Sequence, residues 1–221
     1  VKNLSLAFTD TGDIEVATLL ATSLDDPDRS VKWAALEGIS RVLKGTGERG
    51  ERFENLVRSH RDSFVRDRAQ LTQALIHSGT HPEEILKILQ PAFSSRNAFT
   101  RKMAVRGLGM ALEKYGDPSI VEALELLLKD PIDIVREATL QSLGEILFAT
   151  SFKPILHEIR EEKNREIFKD RSVWLIATVG NIFYGSGNQQ AAEFLEREFS
   201  DPGWNRRDVA YALSQIMTSR G

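Results

Sequence analysis

Val135-Arg-Glu-Ala-Thr-Leu-Gln-Ser-Leu-Gly-Glu-Ile-Leu147 places small or apolar residues at Val135, Ala138, Ser142, Leu143 and Ile146. Recurrence at steps of three and four marks one buried face of an α-helix. Gly144 stands late in this helix, where glycine costs about 1 kcal/mol against alanine, so a neighbouring backbone is expected to come close there. The same pattern returns at Val31–Leu43, Val65–Ile76, Thr100–Leu112, Arg171–Phe183 and Asn205–Met217. The six starts are separated by 34, 35, 35, 36 and 34 residues. A step this regular is the signature of a repeat architecture. The late small residue recurs as Ser40, Gly109, Gly180 and Ser214. The second segment fits worst, because its apolar positions slip by one residue.

A shorter amphipathic helix is predicted before each of these: Ile14–Leu24, Glu51–Ser59, Pro82–Leu89, Ser119–Leu128, Lys153–Arg160 and Gln189–Phe199. Asp26-Pro27, Asp130-Pro131 and Asp201-Pro202 end the first helix of a pair, since proline disfavours helix in the residue before it. Gly45 and Gly47, Gly79, Gly116, and Gly185 and Gly187 follow the second helix and suit the left-handed position that closes a helix. Pro82, Pro118 and Pro154 then set backbone geometry for the next start. No stretch alternates like a half-buried strand. A two-helix unit cannot bury its apolar face alone. The expected fold is therefore all-α: a right-handed α-α superhelix, or α-solenoid, of about six two-helix repeats, with residues 1–221 as one domain. Leu4–Phe8 align with the tail of a second helix whose beginning is missing. The chain thus reads as a fragment of a longer solenoid, or as a native start that has lost its initiator Met.

The stretch Ile120–Leu147 resembles a HEAT repeat, in particular the type found in phycobilisome lyases. Asp130-Pro131, Val135-Arg136, Ala138 and Leu143-Gly144 carry the resemblance, and Asp26-Pro27, Val31-Lys32 and Ala34-Ala35 repeat it. Proteasome/cyclosome repeats are similar through the Gly-Thr-Gly and Gly-Ser-Gly turns, which glycine caps explain equally well. The resemblance implies a polar ladder of Asp and Arg between repeats, making Arg66, Arg101, Arg136 and Arg206 structural. It also implies a scaffold, adaptor or transport factor. The enzymes of this class set their own tests. Deoxyhypusine hydroxylase holds iron with several His-Glu pairs, where this chain has only His157-Glu158. The HEAT-like DNA glycosylases are basic, with aromatic grooves.

This chain has 29 basic and 32 acidic residues and a net charge of −3, so no global field draws in nucleic acid. It contains no cysteine, which excludes disulfides and thiolate chemistry. No apolar run approaches the ~20 residues of a spanning helix, and Val1–Ser5 contains no apolar signal core. A cytoplasmic, reducing location is expected, with no membrane span.

Apparent catalytic motifs read as turns. Gly45-Thr-Gly-Glu-Arg-Gly50 matches a dinucleotide fingerprint but follows a helix rather than a strand. His77 and His81 flank a helix end, so with Glu83 and Glu84 they make at most a weak zinc site. Ser186, between Gly185 and Gly187, follows a helix rather than the strand of a nucleophile elbow. The carboxylates Glu161 and Glu162 sit in the charge run Glu158–Arg165, an exposed helix surface. No enzyme activity, metal or cofactor is expected.

In α-solenoids the second helices line the concave side. Their outward positions are Trp33, Glu37 and Arg41; Lys102, Arg106 and Met110; Glu137, Gln141 and Glu145; Val173, Ala177 and Asn181; and Arg207, Tyr211 and Gln215. Trp33, Val173, Ala177 and Tyr211 are apolar where Glu137 and Gln141 are polar, and helix Ser172–Tyr184 is apolar nearly all round. The expected function is a protein-interaction scaffold binding a peptide or protein partner on this face. Alternatives from other classes are a nucleic-acid binder using Arg66, Arg68, Arg96, Arg101, Lys102 and Arg106, and a lyase-like enzyme or chaperone.

Overall fold

The computed structural model describes residues 2–79, 81–116, 119–163, 172–199 and 206–218. Pro118, Arg171, Asp201-Pro202 and Asn205 lie outside them, as do the side chains of the charge run Glu158–Arg165 apart from Ile159 and Arg160. The chain forms two compact units, Val1–Leu112 and Glu113–Gly221. No strand occurs among the described residues, and no helix there is long and apolar enough to cross a membrane.

The first unit begins with α1 (Lys2–Ala7). Helix α2 (Ile14–Ala21), extended by a 3-10 turn, pairs with α3 (Arg29–Val42). Helix α4 (Glu51–Arg58) precedes α5 (Ser63–Arg66) and α6 (Ala69–Ile76), and α7 (Pro82–Phe93) pairs with α8 (Ala98–Ala111). The second helices stack in order, α1 on α3, α3 on α6 and α6 on α8. Leu20, Leu24, Leu36, Ile39, Leu43, Phe53, Val57 and Ile76 fill the space between layers. Each such side chain contributes about 1.5–3 kcal/mol by leaving water.

The second unit repeats the plan. Helix α9 (Ser119–Leu128) pairs with α10 (Asp133–Ile146), α11 (Ile155–Lys163) with α12 (Ser172–Ile182), and α13 (Gln189–Glu198) with α14 (Arg206–Met217). Helices α10, α12 and α14 pack side by side. Leu124, Leu128, Leu140, Leu143, Ile159, Leu175, Val179, Phe183, Leu195 and Ile216 form its core.

Side-chain oxygens close the helix N-termini. Asp13, Asp28, Asp62, Asn97 and Asn188 each accept from an amide in the first turn of the helix that follows, satisfying donors that have no partner within the helix. In the Asp-Pro turns, Asp26 Oδ1 accepts from the Asp28 amide at 2.8 Å and Asp130 Oδ1 from the Ile132 amide at 2.9 Å. Three arginines near the start of second helices then reach back six residues. Arg66 donates to the His60 carbonyl at 2.7 Å, Arg101 to that of Ser95 at 2.7 Å, and Arg136 to that of Asp130. These arginines fasten the turn ahead of their own helix. Lys32, in the same register, instead crosses to Asp62 at the start of α5. Arg206, expected to act likewise, is exposed.

At the other end of most pairs, residues in the left-handed region dock on the neighbouring second helix. The Asp10 and Gly12 amides donate to the carbonyls of Arg41 and Val42, and Gly45 donates to Leu75. In the second unit Lys114 and Gly116 serve Glu145 and Ile146, Ala149 and Ser151 serve Asn181 and Ile182, and Gly185 and Gly187 serve Gln215 and Ile216, all at 2.9 Å. The glycine turns are therefore more than self-contained caps. They satisfy the last carbonyls of the next second helix.

The slipped second segment is a broken helix. Between α5 and α6 the Arg68 amide bonds to Val65 rather than Phe64, and the Arg68 side chain takes the freed Phe64 carbonyl at 2.7 Å. A side chain inserted into the helical ladder accounts for the break. Helix α7 differs from expectation the other way, running through Pro91 to Phe93. Proline there removes one bond in the last turn, and its ring is exposed.

Candidate functional site

In the second unit, the seam between neighbouring second helices sets the outward face. Gly180 lies against α14: a β-carbon there would stand 3.2 Å from Ala212 Cα. At Gly144 the corresponding approach, to Thr178 Cα, is 3.4 Å. The Thr178 hydroxyl donates to the buried Leu140 carbonyl at 3.1 Å, tying α12 to α10. The seam orients each helix, so Leu175, Ile176, Val179 and Ile182 point inward while Val173 and Ala177 point out.

The apolar outward positions of this unit are open. Tyr211 is 65% exposed and Val173 is 42% exposed, and Ala177 is also exposed. On α10 the outward positions Glu137, Gln141 and Glu145 are half-buried, with the Gln141 amide donating to Glu145 at 3.3 Å. Asn181 and Gln215 belong more to the seam. They are half-buried, their carbonyls receive the turn amides, and their side chains lie across Gly144 and Gly180. Ser214, expected at a close approach, is exposed and turns its hydroxyl back to the Tyr211 carbonyl.

In the first unit Glu37 and Arg41 pair with each other at 2.5 Å. Arg106 and Met110 on α8 are half-buried, as is Lys102. Trp33 is half-buried too, because its ring flanks the Arg68 guanidinium, whose carbon is 5.6 Å from the Trp33 centroid. That guanidinium is stacked between Phe64 and Phe99, 3.5 Å and 4.2 Å from their centroids, where cation–π attraction holds it. The stack escapes a reading by helical pattern. The available signal was that Phe64 and Phe99 are 35 residues apart, one repeat step.

The basic set proposed for polyanions is largely engaged. Arg66 and Arg101 hold turn carbonyls, and Arg68 is stacked. Arg96 is exposed.

The motif residues are accounted for as turns. Gly45 and Gly47 have left-handed φ, and Gly47–Gly50 is a 3-10 turn between α3 and α4. The Ser186 hydroxyl donates to the Phe183 carbonyl at 2.6 Å. His81 is exposed at the start of α7, while His77 at the end of α6 turns inward, its Nε2 2.7 Å from Glu54 Oε1. Burial pushes the Glu54 carboxyl pKa up, outweighing the lowering by His77 and Arg58. Among the described residues no group of three or more His, Asp or Glu could hold a metal.

Residues 53–144, from Phe53 on α4 to Gly144 on α10, match the family described as HEAT repeats. No curated protein matches the chain.

Proposed function

We propose that this chain, which carries HEAT repeats over residues 53–144, is a non-catalytic scaffold that binds a peptide or protein partner on the face of its second helices. In this reading the face is the concave side of a right-handed superhelix of about six repeats, formed by one continuous domain in a reducing, cytoplasmic setting. The Asp-Pro turns favour the phycobilisome-lyase type of repeat. One observation carries the proposal: Tyr211, Val173 and Ala177 stand exposed at outward positions where α10 presents Glu137 and Gln141. Exposed aromatic and aliphatic side chains grouped on one face are what a partner covers, and aromatic anchors dominate interface energies. HEAT repeats commonly serve in this way. The internal engagement of Arg66, Arg68 and Arg101 weighs against the nucleic-acid alternative.

The test is affinity capture from nuclease-treated lysate with the wild type and Tyr211→Ala, alongside thermal melting. A partner captured by the wild type and lost with Tyr211→Ala, at unchanged melting temperature, supports the reading. Capture indifferent to Tyr211→Ala, or a large fall in melting temperature, overturns it.

A further inference from the structure

Two arginines of the first unit converge on one aromatic ring. The guanidinium carbons of Arg29, in the first turn of α3, and Arg68, at the α5–α6 break, lie 5.6 Å and 3.5 Å from the Phe64 centroid. Neither forms an ion pair with a carboxylate among the described residues. The nearby acids are engaged elsewhere. Asp62 takes the Lys32 ammonium and the Phe64 amide, Asp67 accepts from Asn97, Asp28 caps α3, and Glu37 pairs with Arg41. Arg68 Nε is buried with no acceptor. Burial lowers the Arg68 pKa most, Asp67 partly restores it, and the positive charge of Arg29 lowers it again. The fold therefore holds two like charges together over apolar rings, with Asp67 and Asp62 acting on Arg68 only from outside ion-pair distance. Arg68 spends one nitrogen on the Phe64 carbonyl and keeps Nε without an acceptor, and a half-buried guanidinium with donors to spare is what a carboxylate would stabilise, through charge-assisted hydrogen bonds.

We propose that Arg29 and Arg68, set over Phe64 and Phe99 with Trp33 at the side, form a docking site for an acidic peptide segment. One carboxylate of the segment would bridge the two guanidiniums while an adjacent apolar side chain lies on the Trp33 and Phe99 rings. The site rests on the peptide-scaffold reading above and names the chemistry of the partner. Charge complementarity selects the occupant. The arginines supply the positive charge, and Lys102 stands one turn beyond Phe99 on α8. The net charge of −3 opposes a long polyanion but not a short acidic segment.

The probe is a fluorescein-labelled, glutamate-rich peptide carrying one phenylalanine, titrated by polarisation against a glutamine-rich counterpart and an oligothymidylate of equal charge. The site requires binding of the glutamate peptide well above the glutamine peptide, weakening with salt. Arg29→Gln, an exposed change that leaves the Arg68 stack in place, should then loosen binding about threefold to fivefold, the range of one solvent-exposed pair. The double variant Arg29→Gln with Arg68→Lys should loosen it further. Equal binding of the two peptides, no binding of the glutamate peptide, or indifference to Arg29→Gln overturns the site. Tighter binding of the oligothymidylate overturns the peptide assignment in favour of nucleic acid. Tyr211→Ala should leave this titration unmoved. Failure of the scaffold reading therefore shows in the capture experiment, and failure of this site shows here.

Discussion

The Ala149 amide donates to the Asn181 carbonyl at 2.9 Å, and to reach it Ala149 holds φ at +59°. An L-residue in this region carries about 1–2 kcal/mol of strain that glycine escapes. Glycine in turn loses roughly 0.5–1 kcal/mol more in ordering. Ala149→Gly should therefore stabilise the protein by about 0.5–1 kcal/mol, seen as a later midpoint in chemical denaturation. An earlier midpoint would reject the strain.

Gly180 and Gly144 occupy equivalent places but differ in room. A β-carbon at Gly180 would stand 3.1 Å from Ala212 Cβ and 3.2 Å from its Cα, contacts that backbone movement must relieve at about 1–3 kcal/mol. At Gly144 the 3.4 Å approach to Thr178 Cα is ordinary contact, and alanine recovers up to about 1 kcal/mol of helix propensity. Gly180→Ala should lower the melting temperature and Gly144→Ala should hold or raise it. Shifts of the same sign in both would refute the distinction.

The Glu54–His77 pair yields a pH dependence. Burial raises the folded pKa of Glu54, so the native state holds this proton more tightly than the unfolded chain. The contribution is full below the unfolded carboxyl value and is lost as pH rises through the higher folded one. Glu54→Gln keeps an oxygen that can accept from His77 and cannot ionise. It should match the wild type near pH ~4 and exceed it near pH ~8. Denaturation midpoints at the two pH values check this, and a variant weaker at the higher pH would contradict it.

Arg136 and Arg66 make the same bond to a turn carbonyl in different surroundings. Arg136 is 2% exposed and also meets Asp133 at 2.5 Å, whereas Arg66 is exposed. Removing one member of a buried pair costs about 3–5 kcal/mol, and an exposed hydrogen bond costs far less. Arg136→Gln should cost several kcal/mol, and Arg66→Gln about 1 kcal/mol or less. Equal losses in urea titrations would mean that the turn bond alone matters.

Much of this architecture was legible because helices announce themselves locally. The spacing of Val135, Ala138, Leu143 and Ile146 reports the buried face, whereas Val65–Ile76 was read as one helix with a slipped pattern and is broken at Arg68. Close approach was legible at Gly180 but not at Ser214, where the hydroxyl merely returns to its own helix. Asp10, Lys114, Ala149 and Ser151 gave no sign of their left-handed backbone. Bonds to carbonyls some thirty residues away impose it, and nothing in their side chains encodes it. The bonds of Arg66, Arg101 and Arg136 to the turn carbonyls depend on backbone geometry that composition does not carry. At the candidate face, Val173, Ala177 and Tyr211 were placed by register alone, whereas the ring stack around Arg68 depends on side-chain direction across three helices.

The docked turns also give each unit a direction. These bonds run from a turn forward to the second helix of the next pair: from Gly12 to Val42, from Gly116 to Ile146, from Ser151 to Ile182 and from Gly187 to Ile216. Trimming α13 and α14 from the C-terminal side frees the Gly185 and Gly187 amides, which water can serve. Trimming from the opposite side removes the donors that serve the last carbonyls of a helix that remains, and loosens a neighbour that was never cut. Erosion of either unit is thus directional: loss from the C-terminal side bares turn amides, and loss from the N-terminal side bares the carbonyls at helix ends.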